Sequence, residues 1–264
     1  MPGSFTDYAE NAILNHLFGG VSFAVPTLHL GYFLTASSEN GPGSEPTGNG
    51  YLRIPTPPSY WLESIAQLTQ NTQDIICPRA SANQGDVVGV GLFDSSVGGN
   101  CLVYFVADSS MLIQRMDSLV ILSGALVHQW NTGGFSNFLK NRIFNHLYRA
   151  IPMAIDPTLY HGLMSGAPTD AVAGTELSAG GYVRQPLANN SANFAAASGG
   201  IKRTAATIQY PRATAAQGTA AHWGFWNMAS GGQFMAYGPL DPAHAIALDG
   251  QLTIAPGDIE ISLD

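Results

Sequence analysis

The chain has 264 residues, a length that suits one large or two ordinary domains with a buried core. Charged residues make up 11% of the sequence, where about 25% is usual, and the formal net charge is −8 with only 10 Lys and Arg. So few cations argue against nucleic-acid and anionic-membrane binding, because phosphate contacts need clustered Lys and Arg. The shortage of charge also indicates a surface that largely meets other protein.

The N-terminal sequence MPGSFTDYAE has no basic segment followed by an apolar one. No apolar run approaches the roughly 20 residues that span a bilayer. The sequence therefore predicts a protein made in the cytoplasm without a membrane anchor. Cys77 and Cys101 are too few for a disulfide framework and lack metal-ligand spacing, so both are expected to be unpaired core residues.

Two segments with the same motif open the two halves of the chain. Asp7–Gly20 and Asn137–Ala150 share an Asn, an Ile and an Asn-His-Leu at equal spacing. Four more pairs of matched blocks follow in the same order: PTLHLGYF and PTLYHGLM, GNGYLRIP and AGGYVRQP, IICPRAS and IQYPRAT, and GLFDSSVGGNCLVY and GFWNMASGGQFMAY. We therefore predict a tandem duplication, with a first copy over 1–130, a linker over 131–134 and a second copy over 135–264.

Each copy is predicted to open with an amphipathic helix. Thr6 and Ser136 occupy the N-cap positions, where a side-chain oxygen accepts from a free backbone N–H of the first turn. Gly19-Gly20 supplies a stop in the first copy. The second copy has no such glycine and is expected to end its helix by a different route before Pro152.

Short strand-like runs separated by Gly, Asn, Asp or Pro follow each helix. Gly98-Gly99 and Gly231-Gly232 predict hairpin turns that need positive φ. The ending GDIEISLD alternates apolar and polar residues and predicts a final half-buried strand. The fold class is therefore mainly β, with two tandem antiparallel β-sandwich-like domains, each opened by an amphipathic α-helix.

The histidines offer no catalytic or metal-binding pattern. His16 and His146 recur at equivalent positions, but neither has a partner nucleophile, a carboxylate or an H-x-x-x-H spacing. Both are predicted to interact with the last carbonyls of their helices and with the negative end of the helix dipole. The other histidines share no positions between the copies: His29, His128, His161, His222 and His244.

The acidic residues were tested for a facing pair of the kind that glycosidases use. The aligned candidates are Asp94 with Asn227, Glu45 with Glu176, and Asp117 with Asp249. Only the last two pairs keep their acid, and both lie in turn-like segments where solvation explains them. We therefore predict no catalytic, cofactor-binding or metal-binding residues, and no enzymatic activity.

Four arginines recur in both copies. They are Arg53 and Arg184 in the motif G-Y-x-R, and Arg79 and Arg212 in the motif P-R-A-[ST]. Because Arg makes bidentate contacts to carboxylates and backbone, all four are predicted to tie strands within their own domain. Contact with a neighbouring subunit is the alternative.

Two aromatic segments are candidates for contact with other molecules. The segment SYWLESIAQL of the first copy replaces small residues of the second, and it supplies the candidate interface residues Tyr60, Trp61, Leu62, Ile65 and Leu68. The stretch HWGFW at His222–Trp226 could form a carbohydrate-binding platform, although a buried strand explains it as well.

The assembled motifs resemble those of a family of small tailed-bacteriophage virion proteins, commonly labelled tail fibre proteins. The motifs are F-[TS]-x-[YF]-x-x-N-x-I-x-N-H-L, P-T-L-x-x-G, G-Y-x-R, P-R-A-[ST], AASGG at Ala196–Gly200, and the closing GDIEISLD. The resemblance implies a single copy of about half this length, so the chain is expected to be a fused pair. The first copy departs from the pattern in its middle and at its end, where it has DSLVILSGALVH.

The resemblance and the charge deficit together predict a non-enzymatic structural component of a virion, made in the host bacterium. It would be present in many copies, either as a capsid-decorating, cement-like protein or attached to the tail. The lack of heptads and fibrous repeats favours the compact, cement-like protein. Its expected partners are other virion proteins and further copies of itself, without nucleic acid, membrane or cofactors. The alternative is a receptor- or carbohydrate-binding tail fibre protein.

Overall fold

A computed structural model describes residues 1–131 and 133–263 of the chain. Thr132, in the predicted linker, and Asp264, at the end of the predicted last strand, lie outside the described residues. None of the helices in the described part of the chain is long and apolar enough to cross a membrane.

The described residues form two α-helices and seventeen strands. The helices are α1 at Asp7–Leu17 and α2 at Asn137–Tyr148, and a short 3-10 turn covers Pro58–Tyr60. The strands of the first repeat are β1 Gly3–Phe5, β2 His29–Phe33, β3 Ile54–Pro55, β4 Leu68–Gln70, β5 Ile75–Ile76, β6 Gly85–Phe93, β7 Cys101–Ile113, β8 Val120–Ile121 and β9 Val127–Gln129. Those of the second are β10 Thr158–Met164, β11 Gln185–Ala188, β12 Ile201–Arg203, β13 Ile208–Gln209, β14 Gly218–Trp226, β15 Phe234–Ile246, β16 Thr253–Ile254 and β17 Glu260–Ser262.

The strands of each repeat pair in the same pattern. In the first repeat the main sheet has the order β1-β7-β6-β2-β3, and the small sheets are β4-β9 and β5-β8. In the second repeat the main sheet has the order β11-β10-β14-β15, and the small sheets are β12-β17 and β13-β16. All these strand pairs are antiparallel. The predicted fold class, mainly β with two tandem domains and one helix opening each, is confirmed.

The chain divides into two compact units that do not follow the sequence repeats throughout. Unit 1 comprises Met1–Glu10, Ala24–Asn131 and Asn141–Met153. Unit 2 comprises Asn11–Phe23 together with the described residues of 132–140 and 154–264. Each unit therefore contains the sheets of one repeat and most of the helix that opens the other repeat.

Each helix starts on the sheet of its own repeat. The Thr6 hydroxyl donates to the carbonyl of Cys101 at 2.6 Å and accepts from the N–H of Ala9 at 3.4 Å. The Ser136 hydroxyl donates to the carbonyl of Phe234 at 2.6 Å and accepts from the N–H of Leu139 at 3.2 Å. The predicted N-caps are confirmed, and each cap also fastens its helix to a strand.

In unit 1, two asparagines of α2 bind a loop of the first repeat. The Asn145 side chain accepts from the N–H of Ser64 at 2.8 Å and donates to the carbonyl of the same residue at 3.2 Å. The Asn141 side chain accepts from the N–H of Gln67 and from the Ser64 hydroxyl, both at 2.9 Å. Arg149 donates to the carbonyl of Trp61 at 2.9 Å. Backbone groups of this loop are thus satisfied by a helix from the other repeat.

In unit 2, the same positions of α1 act on the second repeat. The Asn15 side chain accepts from the N–H of Ala197 at 2.9 Å and from the Lys202 ammonium at 2.6 Å. The Asn11 side chain accepts from the N–H of Gly200 at 3.3 Å. These contacts explain why both helices carry Asn at the same two positions.

The helices also supply large side chains to the cores. In unit 1, Phe144 and Tyr148 of α2 pack with Phe5, His128 and Trp61, with ring centroids 4.8–6.1 Å apart. In unit 2, Phe18 follows α1 and packs against three rings 5.7–6.2 Å away, those of Phe135, Phe194 and Phe225. Since all these residues are buried, each core depends on a segment from the other repeat.

Both helices end in the same way, which corrects the expectation of a different stop in the second copy. In α1 the N–H of Val21 donates to the carbonyl of Asn15 at 3.1 Å, and Gly20 has a φ of 67°. In α2 the N–H of Ile151 donates to the carbonyl of Asn145 at 3.1 Å, and Ala150 has a φ of 54°. The left-handed residue is glycine in one copy and alanine in the other, so the shared helix stop cannot be recognised from the sequence of the second copy.

Ala150→Gly is expected to stabilise the protein by about 0.5–1 kcal/mol, because alanine is strained in the left-handed region and glycine is not. The matched change Gly20→Ala is expected to destabilise it, since an added Cβ would lie 2.4 Å from the carbonyl oxygen of Asn189. Urea unfolding of both variants checks this. A lower unfolding free energy for Ala150→Gly would contradict the strain.

Candidate functional sites

The arginine of the G-Y-x-R motif in the first repeat lies at the centre of a hydrogen-bonded cluster. Arg53 makes a bidentate ion pair with Glu45, with N–O distances of 2.9 and 2.6 Å. Its third nitrogen donates to the carbonyls of Ser95 at 2.8 Å and Gly98 at 2.5 Å. The guanidinium carbon lies 3.4 Å from the centroid of the Phe93 ring. The cluster therefore holds the hairpin between β6 and β7.

The second repeat contains the same cluster. Arg184 pairs with Glu176 through two contacts of 2.7 Å and donates to the carbonyls of Met228 at 2.9 Å and Gly231 at 2.7 Å. Its guanidinium carbon lies 4.0 Å from the centroid of a Trp226 ring. The prediction that Arg53 and Arg184 act within their own domains is confirmed. The predicted hairpins are also present, with φ of 62–74° at their paired glycines.

Glu45 and Glu176 were expected to be solvated in loops, and that expectation is wrong. Each carboxylate also accepts from the hydroxyl of a half-buried tyrosine, Tyr51 in the first repeat and Tyr182 at 3.0 Å in the second. Burial and the neighbouring carboxylate raise the pKa of both hydroxyls, so both stay protonated donors. The two acids complete a structural cluster, and no second carboxylate faces them within it.

The other duplicated arginines behave differently. Arg79 and Arg212 are exposed, and their side chains make no hydrogen bond or ion pair within the described residues. The predicted intradomain role is therefore wrong for this pair. Their alternative role, contact with a neighbouring subunit, stays a prediction.

The remaining aligned acids serve turns. Asp94 accepts from the N–H of Asn100 at 2.7 Å, and its counterpart Asn227 accepts from the N–H of Gln233 at 2.7 Å. In the structure the residue of the first repeat that is equivalent to Asp249 is Met116, and not Asp117. Asp249 and Met116 both have a left-handed φ, of 63° and 74° respectively. The alignment of Asp117 with Asp249 was therefore one residue out.

His16 and His146 each accept a hydrogen bond from the backbone that follows their helix. The N–H of Phe23 donates to Nδ1 of His16 at 3.0 Å, and the N–H of Met153 donates to Nδ1 of His146 at 3.1 Å. A ring nitrogen that accepts from an amide carries no proton. Each imidazole therefore fixes the segment that follows its helix.

Two further histidines lie deep in the units, each beside a tyrosine hydroxyl. His128 is 2.7 Å from the Tyr148 hydroxyl, and His161 is 2.7 Å from the Tyr210 hydroxyl. Burial lowers the pKa of both imidazoles to about 3, so both are neutral at physiological pH. In the described part of the chain, no group of three or more His, Cys, Asp or Glu could hold a metal ion.

The cysteines are unpaired and buried, as predicted. Burial raises the pKa of both thiols to about 12. Neither thiol is therefore a reactive thiolate at neutral pH.

The candidate interface residues of the first repeat occupy different environments. Trp61 is 1% exposed and packs on Tyr148 in the core of unit 1. Leu62 is 41% exposed and Ile65 is 82% exposed, while Tyr60 and Leu68 are partly buried. An interface here would use Leu62 and Ile65, and it stays a prediction.

Unit 1 presents a second apolar surface that the sequence reasoning missed. Ile76 of β5 pairs with Val120 of β8, and both side chains face outward, 62% and 41% exposed. Leu122 follows on the same side of the chain and is 62% exposed. Met111, 49% exposed, lines a cavity of about 180 Å³ together with Val120. We call these four residues the apolar face.

The second repeat has polar or small residues at the four equivalent positions. The register of β13 and β16 matches that of β5 and β8, so Gln209 and Thr253 replace Ile76 and Val120. His244 replaces Met111, and Ala255 replaces Leu122. Because the same backbone is built in unit 2 without large apolar residues at these four positions, folding does not require them in unit 1. The comparison of IICPRAS with IQYPRAT already contained this signal.

Unit 2 contains a cavity of about 500 Å³ between β15 and β17. Its walls include Trp223, Tyr237, Gly238, Asp258 and Glu260. Of the predicted aromatic platform His222–Trp226, only His222 and Trp223 line the cavity, whereas Phe225 and Trp226 are buried in the core. The stretch is therefore a strand of the core, and it is not an exposed platform.

The model of one protein family matches the chain twice. The family is described as podophage GP4 fiber I protein gp80, and the matches cover residues 4–129 and 134–262. Together they include both predicted copies almost from end to end. No curated protein matches the chain.

Arg184→Ala is expected to destabilise the protein by about 3 kcal/mol, because it leaves Glu176 and two hairpin carbonyls without their donor. Arg212→Ala, at the other duplicated arginine of the same repeat, is the matched control and should change stability by less than about 0.5 kcal/mol. Thermal and urea unfolding measure both. Equal effects of the two changes would contradict the assigned roles.

Proposed function

Because the chain belongs to the podophage GP4 fiber I protein family, we propose that it is a structural, non-enzymatic subunit of the virion's fibres. The family match over both repeats carries this proposal. A phage virion component follows from the family, and attachment to the tail rather than decoration of the capsid is the finer step.

The apolar face supports assembly with further copies of the chain. Its four side chains carry no charge, so two such faces can meet without burying an unpaired ion. Unit 1 also exposes Val106, Leu112 and Met116, at 45–57%.

The contrast between the repeats indicates which repeat makes this contact. Unit 2 has polar or small residues at the four positions of the face, so copies would associate through their first repeats. Such a contact uses the same surface on both partners and closes as a dimer. The second repeats would then be left for other contacts, and a receptor-binding role would lie there.

The location is tested by labelling intact virions with gold-conjugated antibody against the chain and imaging them by electron microscopy. Label on the tail fibres is the expected result. Label spread over the capsid would support a cement-like protein instead, and virions without label would overturn a structural role.

Replacing the apolar face with the residues of the second repeat, Ile76→Gln, Met111→His, Val120→Thr and Leu122→Ala, is expected to abolish self-association. The native chain should sediment as a dimer and the variant as a monomer with little change in melting temperature. The change of Leu52 and Val97 to Ser is the matched control, since it removes exposed apolar residues of unit 1 that lie outside both candidate surfaces. A native chain that stays monomeric, or a variant that still dimerises, would contradict the proposed contact.

A further inference from the structure

We propose that the cavity of unit 2 binds the extended N-terminal segment of another polypeptide, through its free α-ammonium and its first backbone groups. The first repeat supplies the ground, because there the N-terminal segment of this chain occupies the equivalent place. The strands β15 and β17, which border the cavity, are the counterparts of β7 and β9. The inference goes beyond the fibre role and does not depend on it.

In unit 1 the segment Met1–Phe5 lies between these two strands. Its last three residues form β1 and pair with β7. The N-terminal ammonium of Met1 donates to the carbonyl of Ala125 at 3.0 Å, and the N–H of Val127 donates to the carbonyl of Met1 at 3.1 Å. Pro2 forms a parallel bridge with the same Val127. The first two residues of the chain are therefore held by β9 and by the turn before it.

The chain takes a different path at the same place in the second repeat. Only Phe135 bridges β15, opposite Ala236, whereas β1 pairs three residues with β7. The preceding Gly134 has a φ of 94°, which an extended strand residue does not adopt. The described part of the linker therefore does not continue along the sheet as Met1–Phe5 does, and a cavity of about 500 Å³ lies there.

The strand β17 keeps the edge that β9 uses to hold Met1. By the registers of the two small sheets, Glu260 corresponds to Val127, and Asp258 therefore corresponds to Ala125. Both acidic residues line the cavity. Among the described strands β17 pairs with β12 alone, so its other edge is open. An open strand edge is a template for pairing with another chain.

The backbone groups at this edge are free to bind. The N–H of Thr204 donates to the carbonyl of Ile259 at 3.1 Å. Since bonded and unbonded pairs alternate between antiparallel strands, the next pair, Arg203 and Glu260, is unbonded. The N–H and carbonyl of Glu260 therefore point away from β12. Neither of them, nor the carbonyl of Asp258, has a partner in the part of the chain that the structure describes.

Charge favours an N-terminal segment over an internal one. Asp258 adds a carboxylate at the residue whose carbonyl would accept the ammonium, where the first repeat has Ala125. One oxygen of this exposed carboxylate accepts from the N–H of Ala255 at 3.1 Å, and no described cation pairs with it. Glu260 is already paired with Arg203 at 2.5 Å. The charge of Asp258 is thus the one that an incoming ammonium would neutralise.

The other edge of the cavity limits how the segment can bind. Pro239 of β15 has no N–H, and the N–H of Tyr237 already donates to the carbonyl of Gly134 at 2.8 Å. An added segment would therefore pair with β17 rather than with β15. This is the arrangement that Met1 has in unit 1, where its printed hydrogen-bond partners are Ala125 and Val127.

A further copy of the chain is not the expected donor. The segment Met1–Phe5 of each copy is already paired in its own unit 1. Moving it into the cavity of a neighbour would break the pairing of β1 with β7 and expose Phe5, which is 5% exposed. The donor is therefore a different polypeptide, whose N-terminus is not paired in its own fold.

The test is a titration of the full-length ¹⁵N-labelled chain with the peptide Met-Pro-Gly-Ser-Phe amide, which copies the segment of unit 1 and has a free amine. The same peptide with an acetylated amine and methionine amide alone are the comparisons. The free-amine peptide should shift the Glu260 amide signal saturably and slow its hydrogen exchange. The amide of Val127 should stay unchanged, because it donates to Met1.

The comparisons separate the two parts of the interaction. Acetylation should weaken binding by about tenfold or more, because it removes the charge that Asp258 attracts. Methionine amide keeps the ammonium but is too short to pair as a strand, so it should bind more weakly than the full peptide.

Variants at one residue assign the binding to the cavity. Asp258→Lys should abolish binding by charge repulsion, and Asp258→Ala should weaken it. The fold accepts alanine at this position, because Ala125 forms the equivalent turn in the first repeat. Asp86→Ala, at an exposed acid of unit 1, is the control and should leave the dissociation constant unchanged. Melting temperatures show whether each variant is folded.

Three results would overturn the proposal. These are a Glu260 signal that the free-amine peptide does not move, equal affinity for the free and the acetylated peptide, and unchanged binding by a folded Asp258→Lys variant. Absence of peptide binding together with label on the tail fibres would reject the cavity as a site and leave the fibre role in place.

Discussion

Hydrogen bonds between Asn145 of α2 and a loop of the first repeat hold this helix in unit 1. Asn145 satisfies both the N–H and the carbonyl of Ser64, and this contact places α2 in the unit that holds the sheets of the first repeat. Asn15 of α1 accepts from the N–H of Ala197 and from the Lys202 ammonium in unit 2. Since the helices also bring Phe144, Tyr148 and Phe18 into the cores, neither repeat buries a complete core with its own residues. Each repeat therefore depends on the other repeat to complete its core.

Much of the fold could be predicted from the sequence because its signals are local. The N-caps at Thr6 and Ser136, the paired glycines of the hairpins and the apolar runs of the strands depend on neighbouring residues only. The destination of each helix could not be predicted. Periodicity identifies which face of α2 is buried, but it does not identify the sheet that the face meets. The stop at Ala150 was missed for a related reason, since alanine gives no sign of a left-handed φ.

The candidate sites also include features that could be predicted from the sequence and features that could not. Arg53 and Arg184 were predicted to act within their own domains because they recur in both copies and Arg makes bidentate contacts to carboxylates and backbone. Their pairing with Glu45 and Glu176 needed the structure, since it depends on loops that fold back on the sheet. The apolar face arises where the repeats differ, as at Ile76 against Gln209. Differences between aligned copies were thus the more informative signal for function, and shared residues were more informative for structure.

Amide hydrogen exchange tests the exchange of helices most directly. In the variant Asn145→Ala, the amide of Ser64 in unit 1 is expected to lose protection while that of Ala197 in unit 2 keeps it. Asn15→Ala should give the reverse, because the N–H of Ala197 donates to Asn15. If the Asn145→Ala variant instead lost protection at Ala197 and kept it at Ser64, α2 would pack on its own repeat. That result would contradict the exchange of helices.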